Sequence, residues 1–462
     1  MKMQRFLALK KVKKLLCFGC KLQAFEFRCI NTRTMEGVQL SVCPRDVMVD
    51  ERVSVKVSGL KPNQKVTIYS TIDGNKGEVF ASCGCFQAKE DGTVDLNSTP
   101  ALSGTYKGKD GMGFIWSMCA TSGGKFGLRL LQSDVTKPQL VNISIHNGHH
   151  SLRDLCQGHS NPPMAAEVLN RWYKSPNVSR FPVNSGRLRG TLFLPNGPGP
   201  FPGVIDIYGA GGGIMEHRAA LLASRGFAVY ALAFFGYQDL QKTFNDLDLN
   251  YFKEAVIFLD THPHIQSGGV GIIATSKGAE LGQFLAIHCP LVKAIVNVNG
   301  MPYLSFSPIH DGHTSYPNAI ELDLDLYEIT DEGIVAKPGH CFDTSKFFKV
   351  WESDVKILTL CGTDDLNVHP DLQQLQADCF PAHKRDNIEL VVYKGAGHLI
   401  DPPYSPHCRA SFNKLLQNCL VWGGNPVDHA HAQEDSWRRT LNFFNKHLRN
   451  GCVKKGQVKS MI

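Results

Sequence analysis

Two hydrophobic rhythms divide this chain, and no single sheet or helical bundle accommodates both. From about residue 38 to 150 apolar and polar residues alternate in short runs: Val53, Val55 and Val57 interleave with Ser54, Lys56 and Ser58, and Val66-Thr67-Ile68-Tyr69 follows the turn Lys61-Pro62-Asn63-Gln64. Asp73-Gly74, Asp91-Gly92 and Asp110-Gly111 punctuate this stretch as turns, with no helix-length periodic segment between them. Strands that each bury one face in this way predict a β-sandwich. Beyond about residue 165 continuous apolar runs take over: Gly203 to Tyr208, Phe227 to Leu232, Val270 to Ala274, Ala294 to Val298 and Ile357 to Leu360. They alternate with amphipathic stretches, which predicts βα units around a mostly parallel sheet buried on both faces. Gly158-His159-Ser160-Asn161-Pro162-Pro163 reads as the linker. The expected organisation is a basic extension over 1–34, a sandwich over 35–164, an α/β unit over 165–450 and a tail over 451–462. No internal repeat or extended low-complexity tract interrupts it.

The α/β half carries a candidate reaction. Gly271-Ile272-Ile273-Ala274-Thr275-Ser276-Lys277-Gly278 sets one serine between a strand-like run and a helix-like stretch, the arrangement of a nucleophile elbow. The G-x-S-x-G pattern wants glycine where Ala274 stands, because strand and helix backbones approach closely there, and alanine is the smallest departure. On the motif alone Ser276 reads equally as a nucleophile or as a helix cap.

Partners follow in order. After the run Ile357 to Leu360 comes Gly362-Thr363-Asp364-Asp365, and after Leu390-Val391-Val392-Tyr393 comes Gly395-Ala396-Gly397-His398. Nucleophile, acid, histidine is the α/β-hydrolase order. The chemistry needs these types because a serine hydroxyl is a poor nucleophile until a base takes its proton, and an acid must hold that imidazole in the useful tautomer. Of 18 histidines, His398 alone pairs a Gly-rich loop after a strand with this order; His310, His313, His369 and His429 lack that context. Asp365, three residues after Gly362, is the expected acid, and Asp364 reads as a turn or cap residue. The glycine run Tyr208-Gly209-Ala210-Gly211-Gly212-Gly213 follows the first strong α/β strand, where Gly209, Gly211 and Gly212 are candidates for one oxyanion-hole amide and Lys277 N–H for the other. A dinucleotide loop would need the G-x-G-x-x-G register and an acidic residue ~20 positions on, and the run has neither.

These residues resemble a known family, the type I acyl-CoA thioesterases together with the bile acid-CoA:amino acid N-acyltransferases. The resemblance covers most of the chain beyond residue 36. It includes Arg52 to Leu60, Asp206 to Gly213, Arg225-Gly226-Phe227-Ala228-Val229, Ser276 to Leu281, Gly362 to Asn367, and Trp422-Gly423-Gly424-Asn425-Pro426 with its following helix. It implies a β-sandwich ahead of an α/β-hydrolase unit, with Ser276, Asp365 and His398 matching the family's triad and an acyl-CoA as substrate, without a cofactor or metal. Two departures stand out: Ala274, and Val368 where family members often carry tryptophan. The family's bile-acid conjugating enzyme uses cysteine as nucleophile, so serine at 276 favours hydrolysis to a free fatty acid over transfer to glycine or taurine. A catalytically impaired acyl-CoA binder and a generic esterase are the remaining expectations.

Charge excludes one class of function. Residues 1–34 hold nine Lys or Arg against Glu26 alone, so that segment accounts for the whole excess of a chain whose net charge is +7. The remainder is balanced and shows no basic stripe with interleaved aromatics, which argues against nucleic acid. No apolar run approaches the ~20 residues of a membrane-spanning helix. The basic extension suits a mitochondrial presequence, although it lacks serine, and Met35 offers a second start that would omit it. Mitochondrion and cytosol are thus both expected; Lys459-Ser460-Met461-Ile462 does not match the peroxisomal ending. Fifteen cysteines, with Cys17-x-x-Cys20 the one such pair, predict reduced, largely buried thiols, with Cys83 and Cys85 sharing one face of a strand in the core.

Overall fold

The computed structural model describes residues 37–75, 77–121, 127–319, 327–337, 343–414 and 416–449. The basic extension with Cys17 and Cys20, and the C-terminal tail, lie outside the described residues.

The alternating stretch folds as expected. Val53, Val55 and Val57 are buried while Lys56 and Ser58 are exposed, and Asn63 takes the left-handed conformation (φ +59°) in a turn closed by Gln64 N–H to Lys61 C=O (3.0 Å). Strands Gln39–Cys43, Ser54–Ser58 and Val94–Asp95 form a three-stranded sheet. Strands Asp46–Met48, Ala165–Trp172, Gln139–Asn147, Lys65–Asp73, Val79–Gln87 and Ser103–Gly104 run in that order through a second, with Cys119–Ala120 added beside Val79–Gln87. The two sheets share one core, in which Val55, Val57 and Val94 meet Ile68, Phe86, Ile143 and Leu169. Cys83 and Cys85 are both buried on Val79–Gln87.

One boundary moves. Ala165–Trp172 pairs antiparallel with Gln139–Asn147 and keeps one face half-exposed, so it is a sandwich strand. The change of sheet falls between Trp172 and Val178 rather than at residue 164, and the Gly158–Pro163 stretch is a connection inside the first unit.

The second unit is built on an eight-stranded sheet. Across it lie Val178–Ser185, Leu188–Pro195, Ala228–Ala233, Gly203–Ile207, Val270–Thr275, Val292–Val298, Lys356–Gly362 and Ile388–Tyr393. The first two pairings are antiparallel and the rest parallel, giving the order 1-2-4-3-5-6-7-8 of an α/β-hydrolase sheet. Successive residues of the parallel strands feed opposite layers. Ile205, Ile272, Ile295 and Ile357 pack with the helices Leu249–Asp260 and Lys277–His288, whereas Val204, Ile273, Val296 and Leu358 pack with His217–Ser224 and Pro426–Phe444. This two-sided burial is why the runs read as continuously apolar.

The two units are joined by buried and ionic contacts. Tyr404 and Ala430 enter the sandwich core, Asp50 accepts from Arg225 and Trp437, and Arg52 pairs with Glu434 (2.8 Å). Among the described residues no helix is long and apolar enough to cross a membrane, no group of three metal-ligating side chains occurs, and ten cysteines are free, of which Cys43, Cys119 and Cys156 are exposed rather than buried.

Candidate active site

The candidate residues all follow the carboxyl ends of parallel strands, where an α/β sheet leaves its crevice. Strand Val270–Thr275 ends at Ser276, and the helix Lys277–His288 begins at the next residue. Ser276 has φ +56° and ψ −126°, and its side chain makes no capping hydrogen bond to the helix. The helix-cap reading therefore fails. A non-glycine residue at positive φ costs about 1–3 kcal/mol and persists only where its surroundings enforce it. Here two close approaches do so. A Cβ at position 278 would lie 2.4 Å from Ile207 O and 2.5 Å from Tyr208 O, so only glycine lets the helix start press against the neighbouring strand end. Ser276 N–H also donates to Val298 C=O (2.9 Å). Ala274 is absorbed on the other side: it is fully buried and faces Gly282, where a Cβ would sit 3.8 Å from its methyl.

Asp365 and His398 come together. Asp365 Oδ2 accepts from His398 Nδ1 at 2.7 Å, and both side chains are 1% exposed. The other carboxylate oxygen, Oδ1, accepts backbone N–H bonds from Asn367 (2.7 Å) and Val368 (3.0 Å). Since a carboxylate only accepts, Nδ1 carries a proton, and in the neutral ring Nε2 then presents its lone pair. Asp364 points outward, exposed, and accepts from Thr363 Oγ1 (2.8 Å), as a turn residue does.

Around the serine, Gly209 is the contact residue of the glycine run: a Cβ there would lie 2.8 Å from Ser276 Cβ and 3.3 Å from its Oγ. Gly211 is exposed, with nothing within 4 Å of its Cβ position, and Gly212 (φ +66°) backs onto Phe235. Gly213 N–H is already engaged by Phe235 C=O (3.0 Å), which removes it from the possible oxyanion donors. Lys277 N–H opens a helix, where backbone donors lack an intrahelical partner. Its side chain is not an anion ligand in waiting: the ammonium is buried, paired with Glu280 and donating to Ser305 C=O (2.6 Å).

Several residues to which the sequence assigns no site role organise this centre. Asn299, at φ +49° after strand Val292–Val298, accepts from Gly362 N–H (3.1 Å) and donates to His398 C=O (2.7 Å), tying the acid loop to the histidine loop. Trp422 C=O accepts His398 N–H (2.9 Å) and its ring stacks on the imidazole at 5.3 Å, tilted by 15°. Arg129, from the first unit, pairs through Nη2 with both carboxylate oxygens of Asp401 (2.7 and 2.5 Å), and Asp401 lies 3.9 Å from His217, which shares a hydrogen bond with Tyr208 (2.9 Å). Burial raises the Asp401 carboxyl, but Arg129 and His217 outweigh it and hold the group well below the usual carboxylate range. Beneath the elbow, buried Arg218 pairs with Asp206 and donates to Thr275 Oγ1 (2.7 Å). An Asn-Gly pair after a strand and an aromatic before two glycines were the available signals for Asn299 and Trp422.

Comparison with known proteins gives the family of the chain. Residues 50–185 match the acyl-CoA thioester hydrolase/BAAT N-terminal region, and residues 247–450 match the BAAT/acyl-CoA thioester hydrolase C-terminal region. The chain belongs to the acyl-CoA thioester hydrolase/BAAT family. Acyl-coenzyme A amino acid N-acyltransferase 2 of Rattus norvegicus is 39% identical, covering 89% of this chain and 98% of its own. Bile acid-CoA:amino acid N-acyltransferase of Mus musculus is 38% identical with the same coverages, and acyl-coenzyme A thioesterase 1 of Homo sapiens is 38% identical over 86% of this chain and 94% of its own. Among solved structures, an acylaminoacyl peptidase of Pyrococcus horikoshii is similar at a TM-score of 0.37 and 11% identity, covering 89% of this chain and 61% of that one, too distant to bear on the site. Family membership accounts for both units, since each has its own matching region.

Proposed function

We propose that this member of the family hydrolyses acyl-CoA thioesters through an acyl-Ser276 intermediate. The observation that carries the reading is the buried 2.7 Å hydrogen bond from His398 Nδ1 to Asp365, on loops anchored beside a serine in elbow geometry. Ser276 N–H is held by Val298 C=O, and the next residue, Asn299, holds His398 C=O, so serine and histidine are fixed on consecutive residues of one strand end. His398 Nε2 takes the Ser276 proton as Oγ attacks the thioester carbonyl. Lys277 N–H and the amide of the Gly209 turn face the developing oxyanion, with Gly211 and Gly212 shaping the loop. The C–S bond breaks, coenzyme A leaves as thiolate and the imidazolium returns a proton to it. A thiolate leaves readily, so deacylation discriminates between outcomes. There His398 takes a proton from water as the water oxygen bonds the acyl carbon, the C–O bond to Ser276 breaks, the imidazolium returns that proton to Ser276 Oγ, and a free fatty acid departs.

Serine rather than cysteine at this position supports water as the acceptor. An acyl-serine is an oxygen ester, which amines attack far less readily than a thioester, so conjugation to glycine or taurine is disfavoured. Thiol release from acyl-CoAs of graded chain length, with and without glycine or taurine, tests the reading on the parent and Ser276→Ala. Release by the parent and its loss in Ser276→Ala is expected; an amide conjugate as the main product would make the protein a transferase, and absence of release at any chain length a binder. The basic segment 1–34 supports mitochondrial import of the form that carries it, with the cytosol as destination of a form that starts at Met35.

A further inference from the structure

Beyond Trp422, which packs on His398, the motif Trp422-Gly423-Gly424-Asn425-Pro426 and the helix after it supply no reacting group to the chemistry above, and the sequence sets His429 aside as lacking context. The structure gives both a purpose. The helix Pro426–Phe444 is capped by Asn425, whose side chain accepts from Asp428 N–H, while Asn425 N–H donates to Gly395 C=O (2.9 Å). That fixes the helix start against the loop that carries His398. One turn in, His429 is buried, and its ring bonds the backbone on both sides of His398. Gly397 N–H donates to His429 Nδ1 (3.1 Å), and His429 Nε2 lies 2.8 Å from Leu399 C=O. A carbonyl can only accept, so Nε2 carries the proton and Nδ1 the lone pair: both contacts require the neutral ring in one tautomer. Gly397 completes the fit, because a Cβ there would lie 2.5 Å from Gly423 C and O and 2.7 Å from Trp422 O.

We infer that His429 is a positioning residue for His398, a neutral imidazole that clamps the peptide groups before and after it and so fixes the direction of Nε2 towards Ser276. The inference rests on the acyl-Ser276 reading. No other side chain bonds both flanking residues of His398 among the described contacts: Asn299 holds Gly397 and His398 carbonyls, and Trp422 holds His398 N–H. Displacing a general base by about 1 Å is enough to lower turnover by about 10²-fold, whereas substrate affinity, set by other contacts, is spared.

The experiment uses the full chain with His429→Leu, which removes both bonds, His429→Asn, which retains an acceptor near Nδ1, and His429→Gln, which retains a donor near Nε2. Two quantities are read: kcat and KM for acyl-CoA thiol release, and the rate at which a fluorophosphonate labels Ser276. A purely structural role would change the folded fraction but leave KM, kcat per folded molecule and labelling rate as in the parent. The expected result is a fall of about 10- to 100-fold in both kcat and labelling for His429→Leu, KM within about 2-fold, and intermediate rates for His429→Asn and His429→Gln. Parental rates in folded His429→Leu overturn the inference. Should His429→Leu fail to fold, parental kcat and labelling in both amide variants overturn it, and reduced rates at unchanged KM uphold it. A parent that the fluorophosphonate does not label at Ser276 overturns instead the functional reading beneath it.

Discussion

Replacing Asp365 with asparagine should abolish turnover while leaving the fold in place, and the reason can be read from three hydrogen bonds. Oδ1 accepts two backbone N–H groups, from Asn367 and Val368, and Oδ2 accepts one from His398 Nδ1. An asparagine has one oxygen and one NH2. Placing the NH2 at the Oδ1 position would set it against two donors, so the oxygen stays there and the NH2 faces His398. The imidazole must then accept at Nδ1 and carry its proton on Nε2, which leaves no lone pair to take the Ser276 proton. The same change in serine proteases lowers kcat by ~10⁴-fold, and at 1.36 kcal/mol per decade that is about 5 kcal/mol of transition-state stabilisation. Stability should change by only about 1 kcal/mol, because all three contacts are kept as hydrogen bonds. Thiol release at saturating acyl-CoA measures kcat, and thermal unfolding checks the fold. Asp364→Asn, at an exposed position, is the control and should stay within about 2-fold of the parent. Retention of more than about a tenth of kcat in Asp365→Asn, or a collapse in Asp364→Asn, would refute the assignment of the acid.

Two further outcomes follow from packing and linkage. Ala274→Gly restores the family's glycine but removes a fully buried methyl: about 0.8 kcal/mol is lost from burial and ~0.5–1 kcal/mol from backbone freedom, with kcat unchanged. Urea midpoints and kcat together check it, and a tenfold gain in kcat would show that Ala274 does constrain the elbow. Burial first, then His407 nearby, pushes the His429 imidazole down to about 4, whereas an unfolded histidine titrates near 6.5. The unfolded chain therefore binds a proton that the folded one refuses, and stability contributed by this group is lost as pH falls through that window, about 2 kcal/mol of it by pH 5. Urea unfolding at pH 7 and pH 5 should show the parent losing about that much more than His429→Gln; equal losses would contradict it.

The two-rhythm pattern carried most of the architecture because burial on one or both faces writes itself directly into residue alternation. Ile205, Ile272, Ile295 and Ile357 turn to one helical layer and their neighbours to the other, and the run of apolar residues is the imprint of that. Ala165–Trp172 misleads for the same reason: a half-buried strand that follows a Gly/Pro connection looks like the start of something new until its pairing with Gln139–Asn147 is seen. Ser276, Asp365 and His398 can be assembled as a candidate set from sequence because strand-end loops announce themselves through glycine and order. Asn299 and Trp422 carry only the faint signals of an Asn-Gly pair and an aromatic before two glycines, and His429 and the Arg129–Asp401 pair carry none, since each acts by bonding backbone or charge elsewhere in the sequence, Arg129 being 272 residues from its partner. Pairwise geometry of that kind has no local pattern.

The most direct test of the account is mass-spectrometric trapping on the parent and Ser276→Ala mixed with an acyl-CoA. An acyl adduct on the Ser276 peptide of the parent, stoichiometric early thiol release and a free fatty acid as product are expected, with none of the three in Ser276→Ala. An adduct on another residue, or undiminished thiol release from Ser276→Ala, would contradict it.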